Sequence, residues 1–468
     1  MTREATPLRS RAGGLSDLLK LAGPVIASRI GVMTMGLTDT VVVGHAAPAQ
    51  LAHLALAWAP TSVVLTTGMG LLQGVQVLTS RHVGAGRPEL TGAVLRRGLV
   101  YAAWIGLASA ILLAVGGGPV LRALGVQPAL VAGATPVLQV LAASLPSMLL
   151  GVVLSMFLEA HARPMAGFWL MVLANLANLG LNLLLVGGSF GLPALGAVGS
   201  AVGTFGARTL LLAGLALFLV TRPEARGLGL FQRPPKDRFA SGEQRRIGYG
   251  AGVSYFVEVA AFAAMNVLAG RLGAEVVASW SIVLNVAAMV FMAPLGLSVA
   301  TSVLVGRAFG AGDAAGEVSA ASLGFGVCVA MLSVVSLVIG VWPHAVASLY
   351  TGDPRLQAKA AGALLLCVLF YVPDGLQVVA GQSLRARSDI WMPTLTHTLS
   401  YAVFMIPFGW WLSTPQGLGL HGLVWAVIAA SWLAAALLLG RFAWLIRGDL
   451  RRRGSSPLRA APRRASPA

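Results

Sequence analysis

The stretch LAGPVIASRIGVMTMGLTDTVVVG, residues 21–44, decides how the rest of the chain is read. It is long enough to cross a bilayer as a helix, for which about 20 apolar residues suffice. Yet it carries a carboxylate, Asp39, among residues that belong in hydrocarbon. On insertion scales an acid at the bilayer centre costs about 2.5–3.5 kcal/mol, and such acids face a bundle interior or a water-filled cavity. The apolar run 41–43 continues beyond Asp39, so the acid does not simply mark the wetted end of a helix. Two further acids, Glu258 and Asp374, lie inside apolar stretches far along the chain. Asp39 is therefore a candidate functional residue, and a span that bears it implies a bundle able to shelter it.

Composition agrees. Of 468 residues 57% are hydrophobic and 10% charged, against roughly one quarter charged in soluble domains, and the mean hydropathy is +0.80. Apolar segments recur along the whole length, so residues 15–43 read as a first span and not as a cleaved signal peptide. The formal charge of +17 raises the question of nucleic acid, but in a membrane protein the basic residues are first referred to the spans. Cys328 and Cys367 lie in apolar segments with neither paired nor metal-ligand spacing, which points to packing.

Twelve spans follow from hydropathy: near 16–43, 51–78, 93–116, 129–157, 164–187 and 195–220, then near 246–270, 276–304, 318–341, 357–382, 391–412 and 420–446. The polar segment 222–246, rich in Arg, Pro and Gly, reads as a linker between an N-terminal lobe (1–221) and a C-terminal lobe (247–446). Residues 447–468 form a basic tail of disordered composition. Of the 33 lysines and arginines, 27 fall in the N-terminal segment, every second loop, the linker and the tail. Only Arg122, Arg271, Arg355 and Lys359 fall in the opposite loops, so both termini are expected in the cytoplasm. The halves also repeat at an offset of 226 residues: Gly44 falls on Gly270, Gly70 on Gly296, Gly84-Ala85-Gly86 on Gly310-Ala311-Gly312 and Pro128 on Pro354. A six-helix unit copied in tandem enters from the same face twice, which relates the copies by an axis along the membrane normal and leaves a cleft between them for substrate.

On the fifth span Asn175, Asn178 and Asn182, spaced three and four apart, share one face. They can glue helices together or, with Asp39 and with Thr204 on the sixth span, supply oxygens to a hard cation such as sodium. In the second half Glu258 has Tyr255 and Phe262 one turn away on its own face. Asp374 follows Pro373, which removes a backbone donor and kinks the helix. Burial disfavours a carboxylate and a bound cation favours it, so proton and cation compete for such acids. Competition of that kind is the minimum requirement for coupled exchange. Met35, Trp58, Tyr255, Phe262 and Met289, with Met33, Met265, Met292, Trp280 and Phe291, can line an adaptable cavity for flat cations or simply pack.

At this point the chain resembles the multidrug and toxic compound extrusion (MATE) family of secondary transporters over nearly its whole length. The likeness is carried by GLTDTVVVG (36–44), NLGLN (178–182), FGLPALGAVGSAVGT (190–204), FVEVAAF (256–262) and VPDGLQVVAGQSLRA (372–386). It implies an all-α integral membrane protein, twelve helices in two pseudo-symmetric six-helix bundles around a central cleft, in the bacterial inner membrane. The implied activity is export of organic cations or toxic metabolites in exchange for sodium or protons, without ATP, catalysis or any cofactor beyond the coupling ion. Asp39, Asn178, Asn182 and Thr204 are implied as the ion site of the N-terminal half, and Glu258, Asn285 and Asp374 as the acidic cluster of the other, with sodium at Asp39 or at Glu258 and Asp374. Expected partners are a small, cationic substrate and membrane lipid, with no nucleic acid and no second subunit. Some relatives carry a second acid where this chain has Asn182, and Arg29 is unusual. Ten residues of helix, about 15 Å, separate Arg29 from Asp39, too far to pair. The alternatives are a flippase for a lipid-linked saccharide, which would favour a cationic cavity, and a membrane-embedded transferase, for which no nucleophile or metal spacing is present.

Overall fold

The computed structural model describes residues 14–188, 193–225, 227–230, 232 and 237–454, the side chains of 450–454 excepted. These residues are almost entirely helical and include no strand. In hydrocarbon every backbone polar group must be satisfied within its own segment, which leaves helices as the means of spanning for a chain of this pattern. Eleven helices are long and apolar enough to cross: α1 (Leu15–Ala46), α2 (Pro48–Gly84), α3 (Pro88–Ala123), α4 (Pro128–Ala160), α5 (Pro164–Leu185), α6 (Gly196–Val220), α7 (Arg238–Arg271), α8 (Ala274–Gly310), α9 (Ala314–Val341), α10 (Pro354–Ala386) and α12 (Gly419–Asp449).

The twelfth crossing, α11, is a composite. Trp391–His397 and Ile406–Ser413 are α-helical, and Thr398–Met405 between them is π-helical. A π turn inserts a residue into the α ladder, and such turns collect at functional sites. Here it carries Ser400 and Tyr401 into the bundle. Three boundaries differ from the sequence reading in ways that matter: the last helix runs on to Gly454, into the segment 447–468 read as a disordered tail, of which 455–468 lie outside the described residues. Helix α7 begins at Arg238, inside the segment read as linker, where the Asp237 carboxylate caps the Ala240 amide. Helix α4 continues to Ala160 and so includes Glu159.

The outer surface is apolar, as a lipid-facing surface must be: Trp104 and Val115 expose 67% and 72% of their area. Helices α1–α6 enclose one core, with Leu78, Leu145, Leu149, Phe157 and Leu215 at its centre. Helices α7–α12 enclose another around Trp280, Cys367, Phe370, Tyr401 and Leu423. A smaller core joins the two lobes, with Leu18, Leu21 and Ala22 of α1 packed against Leu297, Ala300 and Val303 of α8 and Val379 of α10. It lies at the membrane face where the described chain begins. Toward the other face the cluster around Val43, Leu54 and Leu138 stays within the N-terminal lobe. The lobes thus close on one side and part on the other.

The closed seam follows the internal repeat. Arg81 donates from Nε to Ala386 O at 2.8 Å and from Nη2 to Arg385 O at 2.9 Å. Its counterpart at the 226-residue offset, Arg307, donates to Ala160 O at 2.7 Å, and Ala160 is the counterpart of Ala386. Ser80 and Gly306, themselves an offset pair, touch where α2 crosses α8. A two-fold axis along the membrane normal therefore passes through this crossing.

Candidate functional site

In the N-terminal lobe α1, α5 and α6 bring together the four residues that the resemblance implied. Asp39 is fully buried. Its Oδ1 accepts from Asn178 Nδ2 at 3.1 Å and Asn182 Nδ2 at 2.9 Å, and its Oδ2 accepts from Thr204 Oγ1 at 2.5 Å. Spacing explains the convergence: Asn178 and Asn182 are one turn apart, and Asn182 also donates back to Asn178 O at 2.9 Å, which stiffens the pair. The two amide oxygens, Asn178 Oδ1 and Asn182 Oδ1, are buried without a partner. Orphaned acceptors of this kind are uncommon and call for a ligand or water. Turning the two amides would present both oxygens beside the Asp39 carboxylate and Thr204 Oγ1, a donor set of oxygens alone that suits a hard monovalent cation. Asn175 does not join them, since its amide donates to Met171 O.

One turn beyond Thr204 lies Arg208, almost fully buried and close enough to Asp39 for the two charges to attract. Its Nη1 donates to Ser144 Oγ at 2.7 Å and its guanidinium lies 5.4 Å from the Trp58 ring centroid. Trp58 is therefore half-buried against a fixed cation. Met35 packs in the core of this lobe.

The C-terminal lobe holds a larger polar cluster. Asp374 accepts on Oδ1 from Tyr401 Oη at 3.3 Å and Ser431 Oγ at 3.4 Å. Glu258 keeps 15% of its side chain accessible and stands 4.0 Å from His397 Nδ1. His397 Nδ1 shares a hydrogen with Ser254 Oγ at 2.7 Å, and Arg385 Nη2 donates to the same Ser254 Oγ at 2.8 Å. Gln382 donates to Tyr255 Oη at 2.6 Å, and Tyr255 donates across the lobes to Gln73 Oε1 at 3.3 Å. Phe262 lies 6.2 Å from the Tyr401 ring. Asn285 does not meet the acids: it is exposed and its amide donates to Ser281 O on its own helix at 2.8 Å. Met289, one turn further on, is exposed as well.

Arg29, without a partner in the sequence reading, pairs with Glu159 of α4: its Nη2 lies 3.1 Å from Oε1 and 3.2 Å from Oε2. At the 226-residue offset this pair falls on Tyr255 and Arg385, whose guanidinium lies 5.8 Å from the Tyr255 ring. One half thus uses an ion pair where the other uses a cation–π contact. Sequence reasoning missed Glu159, Arg208, Arg385, His397, Tyr401 and Ser431. For Arg208 an arginine inside an apolar span was signal enough. No group of three or more His, Cys, Asp or Glu able to hold a metal ion occurs among the described residues.

Two helical lobes of common ancestry around a cleft, each burying acids within its own bundle, define a polytopic membrane transporter. The MatE family profile matches residues 24–184 and 251–411, once per lobe and at an offset within one residue of the one read from the glycines. The chain belongs to the MatE (MATE) family. It is 52% identical over 435 residues to a probable multidrug resistance protein NorM of Caulobacter vibrioides, covering 92% of each chain. It is 31% identical to the multidrug resistance protein NorM of Burkholderia vietnamiensis, covering 94% of this chain and 96% of that one. Among solved structures, the outward-facing conformation of a multidrug resistance MATE family transporter superposes with a TM-score of 0.87 at 18% identity, covering 94% of this chain and 97% of that one. At that identity the likeness speaks for the fold.

Proposed function

We propose that the protein exports organic cations by exchange against sodium or protons across a bacterial inner membrane, with both termini and the segment 222–246 in the cytoplasm. The observation that carries the reading is the acid pair Glu258 and Asp374. Among the described residues neither is matched by an arginine or lysine within ion-pair distance, so the cluster is short of positive charge. A cationic substrate and a coupling ion can each supply it, and they exclude one another by charge. Names of the relatives, multidrug resistance proteins, agree in direction. Glu258, the more accessible acid, meets the substrate first, and Asp374 stabilises it from behind. Asp39, sealed in the other lobe, takes the coupling ion with Asn178, Asn182 and Thr204.

A ligand shifts a conformational equilibrium only by its differential affinity for the two states, so the coupling acids must change partners between them. The orphaned amide oxygens beside Asp39 and the shared hydrogen between Ser254 and His397 offer such alternatives. A saccharide-lipid flippase would need cations facing the cleft to meet phosphate, and the buried acids argue against it. In proteoliposomes, uptake of ethidium into inside-out oriented protein should follow an imposed sodium gradient or an imposed proton gradient, applied separately. Glu258→Gln and Asp374→Asn should express and insert normally, because an amide is cheaper in the bilayer than a carboxylate, yet transport at least tenfold more slowly. Wild-type rates in both variants would remove the acids from the mechanism.

A further inference from the structure

Arg385 is 1% exposed, and among the described residues it forms no ion pair. One of its nitrogens, Nε, has no hydrogen-bond partner. A buried guanidinium without a carboxylate is costly, and a structure that keeps one usually employs its charge. The same lobe buries two acids that lack a basic partner of their own. A short chain connects Arg385 to the nearer of them, Glu258: Arg385 Nη2 to Ser254 Oγ at 2.8 Å, Ser254 Oγ to His397 Nδ1 at 2.7 Å, and His397 Nδ1 to Glu258 Oε2 at 4.0 Å.

Resting on the export reading above, we propose that Arg385 is a charge-selectivity residue: a tethered internal cation that offsets one of the two acids, Glu258 and Asp374, and so sets the pocket to accept a monocation in preference to a dication. The count runs over every element around the cluster; Arg81 of α2 pairs with Glu243 at 3.0 Å and adds nothing to it. Helix α7 contributes Glu258, α10 contributes Asp374 and Arg385, and α12 contributes the neutral Ser431. Helix α11 contributes Tyr401 and His397. His397 Nδ1 and Ser254 Oγ share one hydrogen in either tautomer, and an imidazole neutral in both adds nothing to the count. Across the seam Arg29 and Glu159 cancel one another. Two acids and one arginine leave a deficit of one positive charge, which one proton or one monovalent cation fills.

Arg385 is also held from behind. Its own carbonyl accepts from Arg81 at 2.9 Å, and the Tyr255 ring lies under its guanidinium. Neither contact neutralises it. The charge is therefore fixed in place on the Glu258 side of the cluster without being consumed.

The test uses ethidium, a monocation, and propidium, which carries a second quaternary ammonium on the same ring system. Equilibrium binding of each to the purified full-length protein is measured for the parent, Arg385→Gln and Arg385→Lys. The parent and the lysine variant should prefer ethidium. The glutamine variant should shift the propidium-to-ethidium affinity ratio at least tenfold toward propidium, a change that mere loosening of the helix would not produce. An unchanged ratio in Arg385→Gln overturns the assignment and leaves the export reading standing. A parent that binds neither cation overturns the export reading itself. Parent protein also answers independently of any variant: ethidium binding should displace no more than one proton, counted from calorimetric heats in buffers of different ionisation enthalpy. Displacement of two would mean that Arg385 offsets neither acid.

Discussion

A methyl group at Gly70 tests the closed seam directly. A Cβ built there would stand 2.7 Å from Gly252 Cα and 2.9 Å from Ala251 C and O, all backbone of the opposite lobe. Backbone cannot rotate aside as a side chain can, so Gly70→Ala obliges α2 and α7 to separate. Overpacking of this kind costs about 1–3 kcal/mol. The contact exists only where the lobes close, so the cost falls on that conformation and spares the alternative in which the seam is open. With tenfold for every 1.4 kcal/mol, the ratio of closed to open should fall about 5- to 140-fold. Ser80→Cys reports it, because Ser80 is fully buried at the crossing and the native Cys328 and Cys367 are buried and silent. Maleimide should label Ser80→Cys faster by a similar factor when Gly70→Ala is added. Gly106→Ala is the control: its Cβ would lie 2.7 Å from Pro146 Cα inside one lobe, so it should lower the melting temperature without raising the labelling rate. Unchanged labelling in Gly70→Ala, with the protein folded, would refute the claim that this seam separates in the transport cycle.

Three other outcomes are expected. Removing one member of the buried Arg29–Glu159 pair, by Arg29→Gln or Glu159→Gln, should cost about 3–5 kcal/mol by leaving its partner charged and alone, whereas Arg29→Met with Glu159→Leu should cost much less. A thermal-melting double-mutant cycle checks this, and single variants as stable as the parent would contradict it. Asp39→Asn keeps shape but removes a titrating charge, so ethidium binding should persist while gradient-driven uptake falls at least tenfold in the same liposomes; uptake that still follows the gradient would exclude Asp39 from coupling. In intact cells an impermeant maleimide should leave a cysteine at Ser241 unmodified and modify one at Gly352, and the reverse pattern would invert the proposed topology.

How much of this could be read from the chain differs by kind of residue. The spans were legible because their signal is local: a run of apolar side chains needs no knowledge of its neighbours. Asp39, the asparagines of the fifth span and Thr204 were legible as polar residues inside apolar spans, the resemblance singled out Asp39, Asn178, Asn182 and Thr204, and the fold does bring those four within hydrogen-bond distance. Glu159 was not, because it borders the polar run His161-Ala162-Arg163 and reads as the start of a loop, while the helix in fact continues through it. Arg385 was lost in the same way. By position it counts among the loop cations, and it is buried by the packing of α7 and its neighbours across the end of α10. Asn285 misled in the opposite direction, since a polar residue in an apolar span can satisfy itself on the carbonyl one turn back. Hydropathy can locate a charge along a helix, but which way it faces depends on partners distant in sequence.

The two offset-related arginines of the seam are anchored on carbonyls: Ala386 and Arg385 receive Arg81, which also pairs with Glu243, and Ala160 receives Arg307. A main-chain oxygen is the same whatever side chain its residue bears. The two copies of the ancestral half could therefore drift apart in chemistry, one acquiring Arg29 and Glu159 where the other acquired Tyr255 and Arg385, without spoiling the surface on which they meet. Arginine anchors that ask only for a main-chain oxygen allow two duplicated halves to divide their labour while still closing on each other.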